Sequence, residues 1–109
     1  MPMQKIGKMS LTNQGGFVAR VQFSYLNDDG EKSLSSQSGD VPLGQKRVVD
    51  PAELGVPNGS MVTMHAFVVW GTDNEATRSF SYEKGNVSCA DYTISGTTLG
   101  NSMGLIGVS

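Results

Sequence analysis

The stretch FVARVQFSY, residues 17–25, alternates apolar and polar side chains along its length. Its odd positions are all apolar, whereas Arg20, Gln22 and Ser24 are polar. Successive side chains of a β-strand point to opposite faces, so this alternation predicts a strand with one buried face. The turn residues at 27–30 predict a hairpin. The polar strand that returns, 31–38, is expected at a sheet edge.

The rest of the chain repeats this arrangement of short strands and turns. A loop is predicted at 41–45, and an irregular crossover at 51–59 with one helical turn at 52–54. About eight short strands, 14 glycines and no helical periodicity predict an all-β fold, a β-sandwich of mostly antiparallel strands. Besides the two already described, strands are predicted at 6–11, 46–50, 61–70, 76–82, 88–95 and 103–108.

Length and charge limit the domain count and the classes of ligand. The 109 residues fit one domain, 1–109. The net charge of -2 does not indicate the basic surface that nucleic-acid-binding proteins usually have. The scattered basic residues form no polybasic patch for anionic lipid. No apolar run approaches about 18 residues, and the N-terminus lacks a standard export signal. We therefore expect a soluble protein that is cytoplasmic or exported by another route.

The sequence offers few residues for catalysis. Cys89 is the only cysteine, which excludes an internal disulfide, and we expect it to act as a small apolar side chain. His65 is the only histidine, and no nucleophile elbow, phosphate-binding loop or zinc-ligand cluster accompanies it. We therefore expect no enzyme activity, no metal and no cofactor.

The segment ISGTTL, residues 94–99, predicts a strand that ends in an exposed loop. Thr97 and Thr98 offer hydroxyl groups, and Leu99 offers an apolar side chain. Such a loop can hydrogen-bond a polar group while the leucine enters an apolar environment. Threonine pairs are also common in strands through propensity alone, so a purely structural role stays open.

Several stretches, in their order along the chain, resemble one protein family. The string LTNQGGFVARVQFSY (11–25), an acidic turn, a Ser-Gly-Asp break, a long apolar strand and ISGTTL are similar to the C-terminal β-sandwich of the cholesterol-dependent, or thiol-activated, cytolysins. The resemblance covers nearly the whole chain. It implies a sandwich with its loops clustered at one end, which stands upright on a membrane and recognises cholesterol through a Thr-Leu pair.

In this chain the Thr-Leu pair corresponds to Thr98 and Leu99. The resemblance implies companion loops at 13–16, 43–46 and 70–75. Trp70 is a candidate for ligand stacking, although a core or rim aromatic beside a hairpin turn is an equal alternative. The predicted ligand-binding residues are Thr98, Leu99, Thr97, Gly15, Gly16, Trp70 and Leu43.

Two departures from the family limit what the resemblance implies. The family has a tryptophan-rich loop of eleven residues where this chain reads VVWGTDNEATR (68–78), with Trp70 alone and matches at Gly71, Glu75 and Arg78. Insertion into a membrane is therefore expected to be shallow, and strong cholesterol binding is not implied. The pore-forming region of the family has no counterpart here, so we expect no pore by the family's route.

The leading hypothesis is a non-enzymatic, toxin-related module that recognises a membrane lipid, sterol-like, or a surface glycan. A second hypothesis is an interaction protein that forms a homodimer or pairs with a partner through a sheet edge or the outer face bearing Met61, Phe67 and Val69. A third is an aegerolysin-like lipid-binding sandwich that acts with a partner toxin protein.

Overall fold

A computed structural model describes residues 3–26 and 30–109, so of the turn predicted at 27–30 only Gly30 lies within the described residues. In this part of the chain, ten strands form two sheets, and a short 3₁₀ helix spans Pro51–Leu54. No helix among the described residues has the length and apolar content needed to cross a membrane. The strands are β1 (Lys5–Ile6), β2 (Lys8–Asn13), β3 (Ala19–Leu26), β4 (Lys32–Leu34), β5 (Asp40–Val41), β6 (Lys46–Val49), β7 (Met61–Val68), β8 (Asn74–Tyr82), β9 (Cys89–Gly96) and β10 (Asn101–Val108).

The two sheets differ in strand number and order. One sheet has the order β1-β8-β7-β3-β4, with β5 also paired to β3, and the other has the order β10-β9-β2-β6. Only the β1–β8 and β2–β9 pairings of the described strands are parallel. The predicted all-β sandwich of mostly antiparallel strands is therefore confirmed.

The core lies between the sheets and follows the period-two patterns. In β3 the apolar side chains of Ala19, Val21 and Phe23 are buried, as the alternation predicts. Every second side chain of β7 is buried in the same way. The facing sheet adds buried side chains from β2 and β9, namely Met9, Leu11, Ala90, Tyr92 and Ile94.

The predicted N-terminal strand at 6–11 is divided into two strands. β1 pairs with β8 in one sheet and β2 pairs with β9 in the other, so the chain crosses between the sheets at Gly7. A Cβ atom at Gly7 would lie 2.0 Å from the backbone oxygen of Asn86, which explains why a glycine stands at this crossing. The prediction of one continuous strand is wrong because it depended on local alternation alone.

The polar strand predicted at 31–38 is shorter than expected. Within 31–38 only β4, residues 32–34, pairs regularly with β3, and it lies at the sheet edge as predicted. Beyond it, the hydroxyls of Ser35 and Ser38 accept hydrogen bonds from the Phe23 and Val21 amides at 2.9 and 2.8 Å, in place of backbone carbonyls. Val41, predicted in a loop, is buried in β5.

Candidate functional site

Four loops meet at one end of the sandwich, which we call the tip. The β2–β3 and β5–β6 loops cross between the sheets, whereas the β7–β8 and β9–β10 loops are hairpin connections within one sheet. The companion loops that the resemblance implied thus lie at the same end as Thr98 and Leu99. The four loops are residues 14–18, 42–45, 69–73 and 97–100.

Backbone hydrogen bonds join neighbouring loops of the tip. The amide of Gly16 donates to the carbonyl of Gly96 at 3.0 Å, which ties the β2–β3 loop to the end of β9. The amide of Thr72 donates to the carbonyl of Thr98 at 2.8 Å, which ties the β7–β8 loop to the β9–β10 loop. The relative positions of these loops are therefore set by direct contacts.

Asn13, at the end of β2, organises the tip from within. Its fully buried side-chain amide donates to the carbonyls of Phe17 at 2.6 Å and Val41 at 2.8 Å, and its side-chain oxygen accepts from the Gly15 amide at 2.9 Å. Its backbone carbonyl accepts from the Gly44 amide at 2.7 Å. The sequence predicts only that Asn13 borders a loop. The Asn-x-Gly pattern, typical of Asx turns, is the signal that could have indicated this role.

Trp70 is held in an unusual conformation with its side chain in solvent. Its φ is 63°, in the left-handed region that bulky residues rarely adopt, and the residue is 94% exposed. Asp73 fixes the turn by accepting a hydrogen bond from the Val68 amide at 3.0 Å. Strained residues with exposed side chains are common at contact sites, so this geometry makes Trp70 a candidate contact residue.

The β9–β10 loop presents a threonine and a leucine. Thr97 closes the loop, because its amide donates to the Gly100 carbonyl at 3.1 Å and its hydroxyl accepts from the Gly100 amide at 3.1 Å. Thr98 is half-buried, and its hydroxyl makes no hydrogen bond with any other described residue. Leu99 extends into solvent and is 78% exposed. Thr98 and Leu99 therefore remain available for contacts outside the chain.

Six of the seven predicted ligand-binding residues lie on the surface of the tip. Gly15 does not, because it is buried and a side chain there would meet the ring of Phe17. The absence of a side chain at Gly15 lets the β2–β3 loop pack closely against the ring of Phe17. The ligand-binding role of the others stays a prediction. These six are Trp70, Leu99, Leu43, Thr97, Thr98 and Gly16.

Acidic residues of the β7–β8 hairpin fold back onto His65. The imidazole Nε2 lies 3.0 Å from Asp73 Oδ2, and Nδ1 lies 3.1 Å from Glu75 Oε1. Burial would raise the pKa of Glu75, but hydrogen bonds from Lys32 and His65 lower this pKa below its ordinary value. The network anchors the loop that carries Trp70. The sequence does not predict this network of hydrogen bonds, because Lys32 is far along the chain from the other three residues.

Cys89 has the environment of an unreactive thiol. It is half-buried, and its Sγ lies 3.5 Å from Asp91 Oδ1. Burial, and then the charge of Asp91, raise the pKa of the Cys89 thiol, which keeps it protonated at neutral pH.

In residues 3–26 and 30–109, no group of three His, Cys, Asp or Glu side chains is placed to hold a metal ion.

The outer face considered for self-association is partly covered. Met61, Phe67 and Val69 are each half-buried, and the guanidinium carbon of Arg20 lies 5.7 Å from the centroid of the Phe67 ring. These three side chains are therefore only partly exposed on this face, which is one of the two surfaces that the second hypothesis offers.

Comparisons with known proteins connect this fold to toxins. A scan against protein-family models finds no match, and a sequence search of curated proteins finds none. Among solved structures, the chain is similar to a Gram-negative toxin, with a TM-score of 0.50 and 13% sequence identity. That match covers 92% of this chain and 22% of the toxin.

Two cytolysins give similar matches. Pneumolysin and listeriolysin O both match over 91% of this chain at 14% identity, with TM-scores of 0.49 and 0.48. The matches cover 23% of pneumolysin and 22% of listeriolysin O, so this chain spans less than a quarter of either length. At such identities the likeness concerns the fold. The chain is thus a β-sandwich similar in fold to a segment of a Gram-negative toxin.

Proposed function

We propose that this chain is a non-enzymatic, toxin-related recognition module whose tip binds a membrane lipid. The observation that carries the proposal is that Trp70, Leu99 and Leu43 are 94%, 78% and 61% exposed at the same end of the sandwich. Exposed apolar clusters on small domains mark contact surfaces. Full burial of each side chain would contribute about 1.5–3 kcal/mol, so partial insertion of three favours shallow, reversible binding.

The hydroxyl of Thr98 supports a sterol-like lipid as the ligand. It lies beside Leu99 and has no partner among the described residues. A hydroxyl can both donate and accept, so it can pair with a sterol hydroxyl at the membrane surface. This pairing would avoid the cost of placing an unpartnered polar group against lipid while Leu99 contacts the apolar rings.

Trp70 makes the proposal directly measurable, because it is the only tryptophan in the chain. The experiment adds phosphatidylcholine vesicles, with and without cholesterol, and measures both co-sedimentation and tryptophan emission. We expect the protein to sediment with the vesicles and the emission to shift to shorter wavelength, more strongly with cholesterol. The variant with both Thr98→Ala and Leu99→Ala should bind more weakly.

Val87 provides a matched control. It is 94% exposed, but it lies in the connection between β8 and β9, at the end of the sandwich opposite the tip. Val87→Ala should bind vesicles like the unmodified chain. No binding to either vesicle, or an equal loss in Val87→Ala, would contradict the proposal. Binding to a glycan array without binding to vesicles would identify a surface glycan, and not a lipid, as the ligand.

Self-association through β10 is a second candidate function. This strand lies at the edge of its sheet, contains no charged residue in Asn101–Val108, and exposes 66% of Ile106. Edge strands without charges or prolines readily pair with other strands. Light scattering after gel filtration should then show a dimer that Ile106→Lys dissociates, and a monomer at all concentrations would exclude this candidate.

A further inference from the structure

A groove separates the two sheets where the edge of β8 approaches the edge of β10. Its volume is about 340 Å³, near the lower end of the roughly 300–1,000 Å³ of small-molecule sites. At the tip end, the side-chain amide of Asn74 donates to the side-chain oxygen of Asn101 at 2.8 Å and closes the groove. The groove is therefore separate from the apolar surface of the tip.

Tyr92 lines the groove and has an unsatisfied hydroxyl. The residue is 1% exposed, and its hydroxyl has no hydrogen-bond partner in residues 3–26 and 30–109. Buried polar groups are nearly always paired, so this hydroxyl calls for an explanation. Burial raises the pKa of Tyr92 to about 12, although the positive charge of Arg78 opposes this rise. The phenol is neutral at physiological pH and can donate a hydrogen bond.

Both walls of the groove carry an irregularity beside Tyr92. In β8, Ser79 pairs with Thr63 and Glu75 pairs with His65, so three residues of β8 face a single residue of β7. In β10, Leu105 pairs with Tyr92 and Gly107 pairs with Asp91, which leaves Ile106 as an extra residue. Bulges in edge strands redirect side chains and are common beside functional sites.

The groove is lined by the cation of Arg78, by the acidic residue Glu75 and by apolar side chains. The guanidinium carbon of Arg78 lies 4.7 Å from the centroid of the Phe80 ring, and Nη2 donates to Gln4 Oε1 at 2.6 Å. These contacts hold the cation at the groove. Its lining also includes Met103 and Leu105, both partly buried against the core.

We propose that this groove binds a small carboxylate that carries an apolar chain. The carboxylate accepts hydrogen bonds from the Tyr92 hydroxyl and the Arg78 guanidinium, which satisfies the buried phenol and pairs the anion with a cation. The chain of the ligand packs against Met103 and Leu105. This site is independent of lipid binding at the tip, since it shares no side chain with Trp70, Leu99 or Leu43.

The proposal is tested by following the backbone amide signals in NMR spectra of the full chain during titration with octanoate. Octylammonium and octan-1-ol serve as probes with the same chain but a different head group. We expect saturable shifts of the Ala76, Tyr92 and Met103 signals with octanoate, and no saturable shifts with octylammonium. Titration with N-acetyl-leucine distinguishes a peptide carboxyl terminus from a fatty acid as the natural source.

Two variants test the assigned partners. Tyr92→Phe keeps the ring and should weaken octanoate binding by about ten-fold or more, because its hydrogen bond to an ionised carboxylate is charge-assisted. Arg78→Gln should weaken it more than about ten-fold, because charge-assisted hydrogen bonds are stronger. Arg20→Gln is the matched control, since Arg20 also stacks on an aromatic ring but lies outside the groove. Equal binding of octanoate and octylammonium, or unchanged binding in Tyr92→Phe, would overturn the proposal.

Discussion

The amide of Thr72 donates a hydrogen bond of 2.8 Å to the backbone carbonyl of Thr98, which joins the loop of Trp70 to the loop of Leu99. Gly71 allows this approach, because a Cβ atom there would lie 2.2 Å from the Thr98 oxygen. The two most exposed apolar side chains of the tip are thus held in a defined relation. In the proposed binding to a membrane, the side chains of Trp70 and Leu99 would contact the lipid together.

Gly71→Ala should therefore separate the two loops. We expect a loss of about 1–3 kcal/mol in the free energy of unfolding from the steric conflict, together with weaker vesicle binding. Urea denaturation and co-sedimentation measure the two effects. Gly107→Ala, in β10 and outside the tip, is the control, because a Cβ at Gly107 meets nothing within 4 Å, and its cost should stay within about 0.5 kcal/mol. Equal losses in both variants would contradict this view of Gly71.

Asn13→Ala should destabilise the whole tip. The change removes three buried hydrogen bonds and leaves the carbonyls of Phe17 and Val41 without this donor. At about 1 kcal/mol for each bond, we expect a loss of about 3 kcal/mol in urea denaturation. Asn58→Ala is the comparison, since the side-chain oxygen of Asn58 accepts an exposed hydrogen bond from the Lys84 amide, and its cost should be under about 1 kcal/mol. A small effect of Asn13→Ala would exclude its organising role.

The free energy of unfolding should fall in acid, because Asp91 and Glu75 become protonated. The hydrogen bond of 2.5 Å from the Ser10 hydroxyl lowers the pKa of Asp91 although burial opposes it, and the pKa of Glu75 is also lowered. Because these pKa values are lower in the folded state, the unfolded chain takes up protons first as the pH falls. The stabilisation is therefore present at neutral pH and is lost as the pH falls through about 4 and below.

The measurement is the urea midpoint between about pH 6 and about pH 3. Asp91→Asn removes the titrating group, so its midpoint should fall less steeply with acid. Ser10→Ala should also flatten the slope, since it removes the hydrogen bond that lowers the pKa of Asp91. Slopes equal to that of the unmodified chain in both variants would disprove the assignment.

Two buried tyrosines should respond differently to loss of their hydroxyls. The Tyr82 hydroxyl donates to the carboxylate of Asp50, so Tyr82→Phe should cost about 1.5–3 kcal/mol. The hydroxyl of Tyr92 has no partner within the described residues, so Tyr92→Phe should change stability by less than about 0.5 kcal/mol. Thermal and urea unfolding compare the pair. A large loss in Tyr92→Phe would mean that its hydroxyl is satisfied by bound water.

The strands that carry the core could be predicted because their signal is local. In β7 the buried side chains are the alternate apolar residues of the sequence. In β3 the apolar Ala19, Val21 and Phe23 are buried as this period predicts, but Gln22 and Ser24 are buried as well, which the alternation does not predict. The exposed position of Leu99 was also expected, because a loop that follows a strand and contains glycine and threonine points to the surface.

The features that shape the site depend on partners far along the chain. The burial of Asn13 requires Val41 beside it, and the need for glycine at position 71 arises from Thr98. The irregularity in β8 is visible only in its register against β7. Gly15 was expected to contact ligand, but its burial depends on how Phe17 packs over the loop. Local residue patterns carry no information about such distant contacts.

The division of the N-terminal strand at Gly7 has a consequence for the order of folding. Lys5 lies beside Ser81 and Lys8 lies beside Cys89, so β1 and β2 find these parallel neighbours only far along the chain. Closing such long loops is slow and entropically costly. β1 and β2 can therefore complete these two parallel pairings only after residues 81–94 are present, so the pairings form late in folding.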